Sequence, residues 1–204
     1  MGDTFTFTFT PTDDPPDVSA EDHRKVSNLI YFLVAEGLSK GVDPADAVGL
    51  SPEYIDAFHE LAVRHYRGRD FDSAAKLYQR LIQLKPTQLV YYKGLGACCL
   101  GLQRYDAAIR VYDAAVALGA LDAELHYHLG QAHYFNQDYG PAFDLMRFAR
   151  VLDEQDPAST GKIAAFATQM LERMKDLVSP EQAALIDLRP DDDHPAGQTE
   201  GPPP

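Results

Sequence analysis

The chain has 204 residues, 45% of them hydrophobic, and a formal net charge of -13, the make-up of an ordinary water-soluble domain with one core. Residues 1–22 and 189–204 together hold nine of those thirteen negative charges, so the middle of the chain is only mildly acidic. No basic stripe is present to bind nucleic acid, no apolar run reaches the length of a membrane span, and no leader-like amino terminus precedes the first helix.

In chain order, residues 1–18 alternate Thr with Phe5, Phe7 and Phe9 and then run into Pro11, Pro15 and Pro16. Period-two alternation favours an extended strand, but nothing else in the chain reads as a strand to receive it, so this segment is expected to be a disordered tail. Residues 19–54 are predicted as a helical segment. Val26, Leu29, Ile30, Leu33, Val34 and Leu38 paint one helix face, and Tyr31, Phe32 and Ala35 widen it beyond what one packing partner needs. A second protomer is a candidate to cover it, which makes Leu29, Ile30, Leu33 and Val34 the expected dimerisation residues. Asp43 with Pro44, and Ser51 with Pro52, each have N-cap and first-turn chemistry.

Residues 55–156 contain an internal repeat of 34 positions. Phe71, Tyr105 and Tyr139 recur with Ala74, Ala108 and Ala142, and five further columns keep the same register: Leu61, Leu95, Leu129; Ala62, Gly96, Gly130; Tyr78, Tyr112, Met146; Phe58, Tyr92, His126; Leu81, Ala115, Ala149. That period and the alternation of large with small residues belong to tetratricopeptide repeats, in which Ala or Gly lets two helix axes approach while an aromatic ring fills the space beside them. Repeats are placed at 55–88, 89–122 and 123–156, with Pro86 near the end of the first.

Residues 157–188 follow the Asp156–Pro157 break. They are expected to form a capping helix that buries Ile163, Phe166, Ala167, Met170, Leu171, Met174 and Leu177, then a short helix from Ser179 to about Leu188. Residues 189–204 cannot bury apolar surface and are expected to be a disordered acidic and proline-rich tail. The expected fold is therefore all-α: three tetratricopeptide repeats in a curved helical solenoid, flanked by an N-terminal amphipathic helix and a C-terminal capping helix.

Catalytic chemistry is hard to find. There is no glycine-rich phosphate loop, no nucleophile elbow and no HExxH motif. Cys98 and Cys99 are adjacent and read as two small apolar residues in a packed helix. The histidines of the repeats, His59, His65, His126, His128 and His133, lack the spacing of a metal site and read as packing or surface residues. We expect no enzyme activity, no cofactor and no metal.

The repeats do offer a groove. Positions 2, 5, 9, 12 and 13 of each first helix point into its concave wall. Among them His59, Val63, Tyr66, Lys93, Ala97, Leu100, Tyr127, Gln131 and Tyr134 form the candidate peptide-binding set. Aromatic rings and short apolar side chains with scattered charge suit an extended peptide carrying spaced apolar anchors. A co-chaperone that grips an acidic carboxyl terminus would need a Lys and Asn clamp, where this chain has His59, Val63, Gly94, Glu124 and His128.

From about Leu29 to Met174 the sequence resembles the class II type III secretion chaperones. The resemblance is carried by GLSKGVDPADAVGLSPEYIDAFHELAVRHYRGRDFDSAAKLYQRLIQL and by LGACCLGLQRYDAAIRVYDAAVALGALDAELHYHLGQAHYFNQDYGPA. It implies a bacterial cytoplasmic protein that holds hydrophobic translocator proteins in its groove until they are secreted, and a homodimer joined through the N-terminal helix. Similar chaperones also bind a transcriptional activator through the same groove. The Thr-Phe and proline-rich tails depart from the family pattern.

Overall fold

A computed structural model describes residues 40–186. The two expected tails, the amphipathic helix and its dimerisation residues Leu29, Ile30, Leu33 and Val34 lie outside the described residues. Of the chain up to Gly49, one compact unit, the described part is a single turn of helix, α1 (Pro44–Ala47). Pro44 occupies its first turn as expected, but Asp43 makes no side-chain cap. The Asp43 carbonyl instead accepts from the Ala47 N–H at 3.0 Å, and Gly49, with φ of 72°, ends the turn.

From Leu50 onward six helices form three hairpins: α2 (Pro52–Arg67) with α3 (Phe71–Leu84), α4 (Leu89–Gly101) with α5 (Tyr105–Ala117), and α6 (Ala123–Phe135) with α7 (Tyr139–Gln155). Ser51 caps α2 through its hydroxyl, which accepts from the Tyr54 N–H at 3.4 Å, and Asp70 caps α3 by accepting from the Ser73 N–H at 3.2 Å. The hairpin turns are copies of one another. Arg69, Gln103 and Gln137 all adopt left-handed φ, at 60°, 57° and 67°, and the next residue of each turn donates back to a helix carbonyl, as from Asp70 to His65 and from Arg104 to Cys99. This is the six-to-one closure that normally recruits glycine, here made by longer side chains at a modest conformational cost.

The repeat columns explain the interior. Gly96 takes the ring of Tyr112 from its own hairpin, so close that a Cβ there would stand 2.4 Å from the ring. Gly94, just over half a turn round the same helix, takes the ring of Tyr78 from the preceding hairpin, at 2.3 Å by the same measure. Helix α4 thus receives an aromatic ring on each side, which is why LVYYKGLGACCLG shows no one-sided apolar stripe. Ala62, Ala74, Leu81, Cys98, Ala108, Ala115, Ala142 and Ala149 are fully enclosed. Cys98 and Cys99 are both buried and free, and burial pushes the Cys98 thiol up to about 12.

Two shorter helices complete the stack: α8 (Lys162–Met174) and α9 (Pro180–Ala184). Helix α8 packs Ala167, Met170, Leu171 and Met174 against Phe143 and Met146 of α7. The buried Asp153 carboxylate fixes its start, accepting from the Ala164 N–H at 2.7 Å and from the Ser159 hydroxyl. Phe166 and Leu177 depart from the expected buried face. Phe166 is half exposed because it sits toward α6 beside Tyr127, and Leu177 is exposed because the helix has already ended at Met174. Helix α9 stops at Ala184, short of Leu188, and Arg150 secures the segment beyond it by donating to the Ile186 carbonyl at 2.8 Å.

The tight ring-to-glycine contact has a measurable consequence. In Gly96→Ala the gain in helix propensity, about 1 kcal/mol, is outweighed by overpacking against Tyr112, about 1–3 kcal/mol. Thermal unfolding of that variant should fall by roughly 3–6 °C. Gly130→Ala meets the flexible end of Met146 at 3.0 Å and should move the midpoint far less. Equal losses in the two variants would show that ring packing is not what holds α4.

Candidate functional site

The first helices of the three hairpins, α2, α4 and α6, line one wall, and the middle of that wall is hollow. Tyr66 from α2, Lys93, Gly94 and Ala97 from α4, Glu124 and His128 from α6, and Tyr78 from α3 enclose about 190 Å³. The floor is aromatic and aliphatic. Tyr78 is buried, and its phenol is pushed up to about 12 chiefly by that burial. Tyr66 is 39% exposed and leans on Phe71 at 5.5 Å between ring centroids. The missing side chain at Gly94 creates both the seat for the Tyr78 ring and part of the empty volume.

The charged residues of the lining itself, Lys93 and Glu124, sit together on one rim. Lys93 Nζ lies 2.7 Å from Glu124 Oε2 and 3.1 Å from Asp122 Oδ2. Burial works against the ammonium, but the hydrogen bonds it donates to Glu124 and Asp122 and the fields of both carboxylates more than offset it, so its pKa is raised. Asp122 also caps α6, accepting from the Leu125 N–H at 2.8 Å. Burial pushes its carboxyl up, yet that backbone donor and Lys93 hold it below its ordinary value.

The nine candidate groove residues do not all share this hollow. Tyr66, Lys93 and Ala97 line it, while His59 and Val63 border a second hollow along α2. Leu100 is half-buried and lines neither. Tyr127 is the clearest departure. Its ring is buried in the cluster with Phe143, Met146 and Met170, because α8 covers that end of α6. Gln131 donates to the Tyr127 hydroxyl at 3.0 Å and accepts from His128 Nδ1 at 2.8 Å, and Tyr134 is partly buried against the same cluster. The candidate set left out Tyr78, Gly94, Glu124 and His128, which the sequence reading used only as a packing column and as positions lacking a Lys and Asn clamp; Tyr78 and Gly94 follow from the 34-residue register once the ring-to-glycine rule is extended from one hairpin to the next. Phe166 also escaped it, since that residue was assigned to the core.

Among the described residues no group of three or more His, Cys, Asp or Glu is placed to hold a metal ion. The histidines find other partners: His65 lies 2.9 Å from Asp70, and His126 donates through Nδ1 to the Asp122 carbonyl at 2.9 Å while its ring meets Phe148.

The tetratricopeptide-repeat family model matches residues 99–137. The low calcium response locus protein H of Yersinia pestis is 24% identical over 102 residues, 50% of this chain and 61% of that relative. The match therefore spans less than two thirds of the relative's length. Among solved structures, the type III secretion translocator chaperone SycD of Yersinia enterocolitica superposes with a TM-score of 0.60 at 22% identity, covering 63% of this chain and 96% of SycD. PcrH of Pseudomonas aeruginosa, in complex with the chaperone binding region of PopB, gives 0.57 at 28% identity, covering 60% of this chain and 98% of PcrH. The chain has the fold of the type III secretion translocator chaperones.

Within this translocator-chaperone fold, the fifth position of each 34-residue repeat does the same job with different chemistry. His59 reaches Tyr91 of α4 at 5.4 Å, Lys93 reaches Asp122 and Glu124 at the start of α6, and Tyr127 reaches Phe166 of α8 at 6.2 Å. These contacts join neighbouring wall helices and set how much of the wall stays open.

Because the folded-state pKa of Asp122 is depressed, its contribution is present above its unfolded value, about 4, and is lost as pH falls through the folded value. Asp122→Asn keeps a capping oxygen but removes the charge. At neutral pH it should cost no more than about 1 kcal/mol, and the gap from the parent protein in urea midpoint should close as acid carries the carboxyl through its lowered folded-state pKa. A gap that is unchanged by acid would remove Asp122 from the cluster's energetics.

Proposed function

We propose that this protein is a cytoplasmic, non-catalytic chaperone that holds an extended apolar segment of a type III secretion translocator in the wall formed by α2, α4 and α6, keeping it soluble until export. The observation that carries this reading is the hollow lined on one side by Tyr66, Tyr78, Gly94 and Ala97 and on the other by Lys93, Glu124 and His128, an unfilled recess in the middle of the wall. A side chain of leucine or valine size buried there contributes about 1.5–3 kcal/mol before ordering costs. The likeness to PcrH, which was solved with the chaperone binding region of a translocator, supports the assignment of guest. Among the described residues no helix is long and apolar enough to cross a membrane, in keeping with a carrier of apolar segments that is not itself inserted.

We assign homodimer formation to the segment bearing Leu29, Ile30, Leu33 and Val34, on the width of its apolar face. The same recess would admit an apolar segment of a transcriptional activator, and identification of the proteins that co-purify from the native cytoplasm separates that role from translocator binding.

Two variants test the recess. Tyr66→Ala removes one wall, and Ala97→Leu fills the space. Each should weaken retention of the co-purifying partner by about tenfold while circular dichroism keeps its helical signal. Undiminished retention by both would move the binding surface elsewhere on the molecule. The assembly is tested separately: an aspartate in place of Leu33 or Val34 should give monomers in sedimentation velocity, and an unchanged sedimentation coefficient would defeat the assignment.

A further inference from the structure

The α2 end of the wall carries an uneven charge. His59, Glu60, Val63, Arg64 and Arg67 border the second hollow, of about 470 Å³. Tyr66, next to Arg67 in the chain, borders the first, so α2 contributes to both hollows. Arg64 and Arg67 are exposed and form no ion pair among the described residues. Glu60 is the one acid facing them in that hollow. Basic residues in a last turn do complement the helix dipole, but any exposed position of that turn would serve for that, and Arg67 instead continues the wall stripe of His59 and Val63. At the opposite rim Lys93 is already held between Asp122 and Glu124, which leaves an excess of one negative charge there. The recess therefore lies between a positive edge on α2 and a negative edge on α6.

We infer that the guest, if it is an extended apolar segment as proposed above, carries a carboxylate side chain on the α2 side of its anchor, held by Arg64 and Arg67. Two guanidinium groups with unused donors match a carboxylate in geometry as well as charge. A basic residue at that place would meet like charge, so the same pair also selects against the reversed guest.

The test uses the full chain and synthetic fluorescent peptides alternating leucine with serine, with two aspartates, two asparagines or two lysines added at either end. At low salt one aspartate peptide should bind about fivefold more tightly than its asparagine counterpart. The advantage should vanish at high salt and in Arg64→Gln/Arg67→Gln, whose parental helical circular dichroism signal and melting midpoint certify its fold. Equal affinity for aspartate and asparagine peptides overturns the charge preference and leaves the chaperone role standing. Preference for lysine overturns it as well. Failure of every peptide to bind removes the apolar recess as a binding site, and the charge preference with it.

Discussion

An aromatic ring resting on a glycine is the contact from which both the scaffold and the recess arise. Helix α4 contains Gly94, Gly96 and Gly101, each unfavourable in a helix by about 1 kcal/mol relative to alanine, so the isolated segment would be a weak helix. What compensates is that Tyr112 and Tyr78 bury their rings against it from two neighbouring helices, and Phe71 lies across Gly101. A buried aromatic side chain contributes about 1.5–3 kcal/mol, so three such rings outweigh three such glycines. The Tyr78 ring that locks α3 to α4 is also the floor of the recess. Stability and binding surface therefore share an atom set, and the recess cannot be deepened without loosening a hairpin.

The wall is less uniform than its repeat. At the fifth position of each repeat, histidine, lysine and tyrosine make successive contacts with the next helix, and each closes the wall to a different degree. An aromatic contact at α2 leaves space on both sides. The ion cluster at α4 closes the rim with polar atoms, and a buried ring at α6 closes it altogether. Helix α8 makes the last contact because it stands where the first helix of a fourth repeat would be. Capping the core and ending the groove are consequently one event.

Much of this was legible from the chain. The columns Ala62, Gly96, Gly130 and Tyr78, Tyr112, Met146 locate the hairpin packing because small and large residues alternate under a fixed period, and Ser51, Pro52, Asp156 and Pro157 mark ends through local backbone chemistry. Tyr127 was misplaced for a tertiary reason: a position on the open side in the middle of a solenoid becomes interior when another helix follows, and periodicity carries no information about the neighbour. Phe166 was misplaced for the converse reason, an apolar residue on an amphipathic helix whose side chain reaches past the core to the wall. Gly94 is the instructive omission. It lies two residues from a column residue and looks like noise until the preceding hairpin's tyrosine is set over it.

The size of the open wall limits how tightly anything can be held. Neighbouring helices pack at roughly 8–10 Å, so the stretch from α2 to α6 spans roughly 20 Å, which an extended peptide crosses in about six residues. Side chains alternate along such a peptide, so about three of those residues face the wall, and the recess accepts one or two as anchors. Even at about 3 kcal/mol each, the gain is largely offset by the loss of translational freedom and by the ordering of a flexible segment, about 4 kcal/mol or more. A guest gripped in this way would be shielded at its most adhesive point but free to leave, the balance that the proposed carrier role requires. The same arithmetic gives the polar edges their weight: when apolar anchoring is limited by space, the proposed charge preference at Arg64 and Arg67 would decide between greasy segments of equal size.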